Sequence, residues 1–199
     1  MAEMKRVQSL GDELQGRANA GLHSVVWVEL PCTAWCAWQR VNETRGPRTV
    51  AKIEKEKKAS LKLIKALSAL LQRVLPSSMG HTHICFEWPR YCFGWKLDLM
   101  QQILKWLPYS AEFDGCCYCL TDEHGDLLRK PWREASNLPE ISELNRYCAG
   151  DRSHGITHEE SARVSAYYTP AVSSAVGAML LRRIRAGAVT CDTMVPAPG

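Results

Sequence analysis

No Gly-x-Gly triplet occurs anywhere in the 199 residues, although the chain has 13 glycines. That absence removes the glycine-rich turn on which nucleotide-binding α/β sheets seat a dinucleotide. No apolar run approaches the length of a membrane span. The first 21 residues are polar and lack an apolar signal region, so nothing marks the chain for secretion. No internal repeat is visible. Neither sign of charge is in large excess: the net charge is +4, which permits a nucleic-acid partner without demanding one. What is present suits a folded domain, with 46% hydrophobic and 23% charged residues. Nine cysteines without a secretory signal point to reduced thiols in the cytoplasm or nucleus. Seven tryptophans suggest aromatic-lined surfaces as well as core.

The pattern predicts an α/β domain over residues 24–187, preceded by a short or frayed helical lead over 1–23 and followed by a disordered tail over 188–199. Gly11, Gly16 and Gly21 limit the leading helix. Ser24 to Leu30 reads as a near-continuously apolar, buried parallel strand. Residues 33–49 read as a loop, and Leu63, Leu67, Leu70 and Val74 recur at helical spacing in a helix that begins at Ile53 and ends before Pro76. The Lys/Glu-rich turns at its start read as a solvated face. His83 to Glu87 reads as a second buried strand, and 98–107 as a helix. Residues 111–120 and 127–135 read as a strand pair around the turn 122–126. A short helix is expected over 139–147. Thr169 caps a last helix with Pro170 at its first position, and Gly187 closes it. The order gives parallel strands with an antiparallel end and helices on the faces.

Two strand ends carry the candidate chemistry. The first strand stops at Leu30-Pro31-Cys32-Thr33-Ala34-Trp35, the second at Phe86-Glu87-Trp88-Pro89. If these strands are parallel neighbours, Cys32 and Glu87 face one crevice beyond the carboxyl ends, where open α/β sheets bind ligands. A thiol nucleophile beside a carboxyl can attack C6 of a flipped-out cytosine while the carboxyl holds the ring at N3. A buried structural cysteine is the plain alternative at position 32. Trp35, Trp38, Trp88 and Trp95 follow the two strand ends, either as stacking walls or as lids on the core.

These segments resemble the middle and later part of a DNA cytosine-5 methyltransferase domain. Pro31-Cys32 resembles the family's Pro-Cys catalytic loop, and Glu87 its Glu-Asn-Val segment in the Glu alone. Phe113 to Tyr118 followed by Arg129-Lys130-Pro131-Trp132-Arg133 resembles its later strand pair ending in a base-side arginine. The likeness spans residues 24–135 and is nearer to divergent methyltransferase-like segments in mobile-element (retroelement) polyproteins of unicellular algae. It implies a partial Rossmann-like sheet, with Cys32 as nucleophile, Glu87 on the base edge and Arg133 as a third contact. It also implies S-adenosylmethionine as cofactor, yet the cofactor loop has no counterpart here. The expectation is a degenerate or fragmentary methyltransferase-like chain, inactive alone.

Two non-catalytic expectations stand beside it. Cys116-Cys117-Tyr118-Cys119 has C-x-x-C spacing, with Cys148, His154 and His158 downstream, so a four-ligand zinc site can be drawn. On a strand, however, Cys116 and Cys119 point to opposite faces. That leaves Cys148, His154 and His158, in the loop before the last helix, as the predicted ligands. Arg129, Lys130, Trp132, Arg133 and Arg146 mix cations with an aromatic, as single-strand nucleic-acid binders do.

Overall fold

The structure is a computed structural model and describes residues 2–78, 80–155 and 168–191. It is an α/β chain with a four-stranded mixed sheet in the order β1-β2-β4-β3. The strands are β1 (Ser24–Glu29), β2 (Thr82–Pro89), β3 (Tyr109–Asp114) and β4 (Pro131–Ser136). The helices are α1 (Ala2–Asn19), α2 (Trp38–Glu43), α3 (Pro47–Val74), α4 (Asp98–Leu104) and α5 (Pro170–Cys191). Two compact units divide the chain: Met1–Ser110 with Trp132–Pro139, and Ala111–Pro131 with Glu140–Gly199.

The first unit is built on the parallel pair β1–β2, in which Glu29 aligns with Glu87. β4 then adds antiparallel to the other side of β2, with Glu87 opposite Glu134 and Trp88 opposite Arg133. β2 is therefore central and buried almost throughout. β1 is an edge strand and only half-buried, although its sequence reads as a buried run. α3 presents Ile53, Ser60, Ile64, Leu67, Leu71 and Val74 at intervals of seven, four, three, four and three, which is one helical face. That face supplies Ile64, Leu67 and Leu71 to a core with Ile84, Phe86, Trp88, Trp95, Met100 and Ile103. Full burial of each such side chain contributes roughly 1.5–3 kcal/mol. Leu14 of α1 packs on Leu70 and Val74 of α3.

Several boundaries differ from the sequence reading for local reasons. α1 runs unbroken through Gly11 and Gly16 and stops before Gly21, whose φ is 71°. α3 begins at Pro47, because Gly46 (φ 114°) provides a turn that no L side chain favours and Pro47 starts the first turn. The expected loop 33–49 contains a 3-10 turn, Thr33–Trp35, and α2. Asn137 extends the pairing of β2 beyond the end of β4: its Oδ1 accepts from Ile84 N at 2.8 Å and its Nδ2 donates to Thr82 O at 3.0 Å.

In the second unit the expected strand 111–120 stops at Asp114 and becomes a 3-10 turn, Gly115–Tyr118. Cys119, at φ 59°, ends that turn in the left-handed region. The expected partner 127–135 does neighbour it in the sheet, as β4 beside β3, and β4 pairs on its other side with β2; nearer the turn there is an isolated bridge between Thr121 and Leu127. The turn 122–126 is as expected, with Asp122 Oδ1 accepting from His124 N and Asp126 N at 2.9 Å each. The helix expected over 139–147 is a 3-10 turn, Pro139–Leu144. Thr169 caps α5, its Oγ1 accepting from Val172 N at 3.2 Å. α5 continues past Gly187 to Cys191, and the remainder of the tail, 192–199, lies outside the described residues.

Candidate functional site

The ends of β1 and β2 carry the first group of candidate residues. Their register puts Glu29 beside Glu87, so Cys32, three residues past Glu29, and Glu87 share one end of the sheet. Trp88 Nε1 donates to Leu30 O at 2.8 Å and fixes the chain as it leaves β1. Cys32 then opens the 3-10 turn, its carbonyl accepting from Trp35 N at 2.8 Å. Trp35 Nε1 donates to Ser60 Oγ of α3 at 2.8 Å, which anchors the turn. Cys32 itself is half-buried. Beside it lies Cys92, whose thiol burial pushes up to about 12; the charges of Cys32, Cys36 and Glu87 add to the rise. Cys32 and Glu87 are thus both near enough to Cys92 for their charges to act on its thiol.

Arg133 does not join them. It stands opposite Trp88, whereas Glu87 stands opposite Glu134, and adjacent residues of a strand point to opposite faces. The Arg133 guanidinium lies over the Trp95 ring, 4.7 Å from its centroid. Trp88 and Trp95 are buried and meet Phe86 edge to face, with ring centroids 5.0–5.7 Å apart. Both belong to the hydrophobic core, and Trp95 also lines a depression with Arg133.

Burial also raises the Cys85 thiol to about 12. An unfolded thiol ionises near 8.5–9, so between pH 9 and 12 the unfolded chain loses protons that the folded chain keeps. Stability from Cys85 and Cys92 is therefore complete below pH 9 and is lost above it, by about 2 kcal/mol per thiol at pH 10.5. Urea midpoints measured at pH 8, 9.5 and 10.5 should fall in the parent chain, and the Cys85→Ala/Cys92→Ala variant should show a shallower fall. Parallel pH profiles for the two proteins would refute the assignment.

A second group lies wholly in the second unit. Cys116 is held on the 3-10 turn after β3, where Gly115 N donates to Lys130 O at 2.8 Å. Tyr118 anchors the same turn: its hydroxyl donates to Leu144 O at 2.9 Å, and its carbonyl accepts from Thr169 Oγ1 at 2.6 Å. Cys148 N donates to the buried Asp114 Oδ2 at 2.9 Å. Cys148 Sγ lies 3.4 Å from His154 Nε2, and Gly150 N donates to the same sulfur at 3.4 Å. Gly150 has φ 77°, in the left-handed region that glycine enters without a Cβ clash.

The ligand atoms of Cys116, Cys148 and His154 all lie within 4.8 Å of one another, and among the described residues this is the one group arranged to hold a metal ion. Zinc–sulfur and zinc–nitrogen bonds of ordinary length set tetrahedral ligand–ligand distances of roughly 3.5 Å, so the donor set suits zinc. Burial, first, and the neighbouring thiols hold the Cys116 thiol in its protonated form; a dication held here would reverse that balance and favour both thiols as thiolates.

Of the predicted ligands, Cys148 and His154 are brought together, and His158 lies outside the described residues. Cys116 joins them from its 3-10 turn, whereas Cys119, the other cysteine of the C-x-x-C spacing, is exposed and outside the group. The strand reading had separated Cys116 from the site, and the Asp114-Gly115 step was the signal for a turn there. Among the described residues no helix is long and apolar enough to cross a membrane. No protein-family model matches the chain, no curated protein matches its sequence, and no solved structure matches it.

Proposed function

We propose that this chain is a zinc-stabilised α/β module in which Cys116, Cys148 and His154 hold the ion. The observation that carries the reading is the approach of three donor atoms from two separate stretches of irregular backbone, the turn of Cys116 and the loop of Cys148 and His154. Such segments bury little apolar surface themselves, and a dication bound by two thiolates and an imidazole ties them together. The N–H of Gly150 on Cys148 Sγ and the hold of Asp114 on the Cys148 amide orient that ligand. His158 is the candidate fourth ligand from the sequence. Elemental analysis of the purified protein should find one zinc per chain, lost in Cys148→Ser. Zinc retained in Cys148→Ser, or absent from a chain that also fails to take it from a chromophoric chelator, would sink the reading.

A second reading follows the resemblance: a Rossmann-like, mobile-element-derived DNA cytosine methyltransferase relative of the nucleus or cytoplasm, inactive alone, with Cys32 as the thiol and Glu87 as the base contact. What supports it is the register of the parallel pair β1–β2, which puts Cys32 and Glu87 at the same end of the sheet. Iodoacetamide at pH 8 should modify Cys32 before the buried Cys85 and Cys92. S-adenosylmethionine should raise the melting temperature if the cofactor half of the fold persists. If Cys32 is spared by the reagent and the melt is unchanged, the methyltransferase reading falls.

A further inference from the structure

We infer that Cys116 and Cys148 form a site of reversible oxidation, at which a hydroperoxide joins the two sulfurs in a disulfide. Where the site holds zinc, the same step expels the ion. The disulfide needs only the two thiols; the loss of the ion rests on the zinc reading above.

The two sulfurs lie within 4.8 Å of each other, and a disulfide holds them about 2 Å apart. Their backbones are already neighbours. Phe113 bridges Arg146 in parallel, Asp114 N donates to Arg146 O at 2.9 Å, and Arg146 N donates to Glu112 O at 3.2 Å. Segments paired in this way run about 4.8 Å apart, within the roughly 4.4–6.8 Å of Cα separation that a disulfide spans. Cys116 follows Phe113 by three residues and Cys148 follows Arg146 by two. The Cys148 amide, donating to Asp114 Oδ2, keeps the two segments together beyond the bridge. Neither cysteine belongs to an α-helix or a strand, so closing the remaining gap breaks no ladder. Cys117 also lies close enough to act on the Cys116 thiol. It is the poorer partner, because sequence neighbours have Cα atoms about 3.8 Å apart, below the disulfide range.

Cys148 is the sulfur placed to react first. His154 Nε2 stands 3.4 Å from it, and Gly150 N donates to it at 3.4 Å, so its developing charge has two polar neighbours. The Cys148 sulfur attacks one peroxide oxygen and the O–O bond breaks. The far oxygen leaves with the thiol proton as water or alcohol, and Cys148 becomes a sulfenic acid. The Cys116 sulfur then attacks Cys148 Sγ, the S–O bond breaks, and the hydroxyl leaves with the second thiol proton as water. Two thiols and one hydrogen peroxide thus give one disulfide and two waters, the sulfurs surrendering two electrons. Of the three ligands only His154 is then left to an ion. The disulfide ties the same two segments, so the oxidised unit keeps its fold without metal.

The test treats the full, purified chain with a small excess of hydrogen peroxide beside a chromophoric zinc chelator. Peptide mapping by mass spectrometry should find the segments of Cys116 and Cys148 linked, with a loss of about 2 Da for two hydrogens. One zinc should appear in solution per link formed, and dithiothreitol should reverse both changes. Cys117→Ser should form the link to the same extent, and Cys116→Ser should not form it. The oxidised chain should melt above the reduced chain stripped by chelator. Sulfinic or sulfonic acid at Cys148 without a link overturns the inference. So does a link that persists in Cys116→Ser or vanishes in Cys117→Ser, since Cys117 would then be the partner. A link formed in a chain that never held zinc sinks the zinc reading and upholds the disulfide. Zinc held through oxidation with no link formed does the reverse.

Discussion

Adding a strong chelator to the purified protein should lower the melting temperature of the second unit by roughly 10–20 °C. A ligand held at a hundred times its dissociation constant stabilises the folded state by about 2.7 kcal/mol, and a unit of this size shifts by about 4–8 °C per kcal/mol. The loss should be large because the metal's neighbours are weak alone. Cys116 sits on a four-residue 3-10 turn, and Cys148 and His154 lie outside any helix or strand. Without the ion, polar anchors such as the Tyr118 hydroxyl on Leu144 O, the Cys148 amide on Asp114 and the Arg129–Asp114 ion pair at 3.5 Å would still hold these segments. Cys148→Ser should melt at the chelated temperature and ignore further chelator. A thiol reagent should count two extra reactive cysteines after chelation. If chelator moves neither the melt nor the thiol count, Cys116, Cys148 and His154 hold no stabilising ion.

Gly94→Ala should destabilise the first unit by about 3 kcal/mol, the upper part of the range for overpacking. A Cβ at position 94 would lie 2.3 Å from Trp88 Cζ3 and 2.7 Å from Cη2. Trp88 cannot yield. It is buried, its Nε1 is tied to Leu30 O, and Phe86 and Trp95 meet its ring edge to face. Because Trp88 also holds the chain entering Pro31-Cys32, the substitution should change the alkylation rate of Cys32 as well. Gly16→Ala is the matched control. Nothing lies within 4 Å of its added Cβ, and a helix-interior alanine should add about 0.5–1 kcal/mol. Urea unfolding of the three proteins decides; a Gly94→Ala midpoint equal to the parent's would refute the packing argument.

The legible parts of the chain were those with local signatures. α3 announces itself by the spacing of Leu63, Leu67, Leu70 and Val74, and the start of α5 by Thr169-Pro170. The parallel pair β1–β2 follows from two apolar runs separated by a helix. Partner choice between distant strands was not legible. Residues 131–136 pair with β2, and that register, invisible in the sequence, decides that Arg133 and Glu87 face apart. α1 survives Gly11 through tertiary packing: the missing Cβ leaves room for Arg73 Cδ, which would stand 3.1 Å from it. At the metal site Cys148 and His154 stood out by residue type. Cys116 did not, because the chain leaves the expected strand at Asp114 and folds into the 3-10 turn Gly115–Tyr118.

The two units interleave in sequence, and that has a consequence during synthesis. β2 is central in the finished sheet, but its β4 neighbour is encoded some fifty residues later, after Ala111–Pro131 of the other unit. At bacterial or eukaryotic elongation rates of about 5–20 residues per second, the ribosome takes roughly 1.5–6 s to go from Ser110 to Pro139. For that interval the nascent chain exposes the hydrogen-bonding edge of His83-Ile84-Cys85-Phe86, an apolar template for pairing with another chain. A fragment cut at Ser110 keeps that edge permanently open and should aggregate where the whole chain does not.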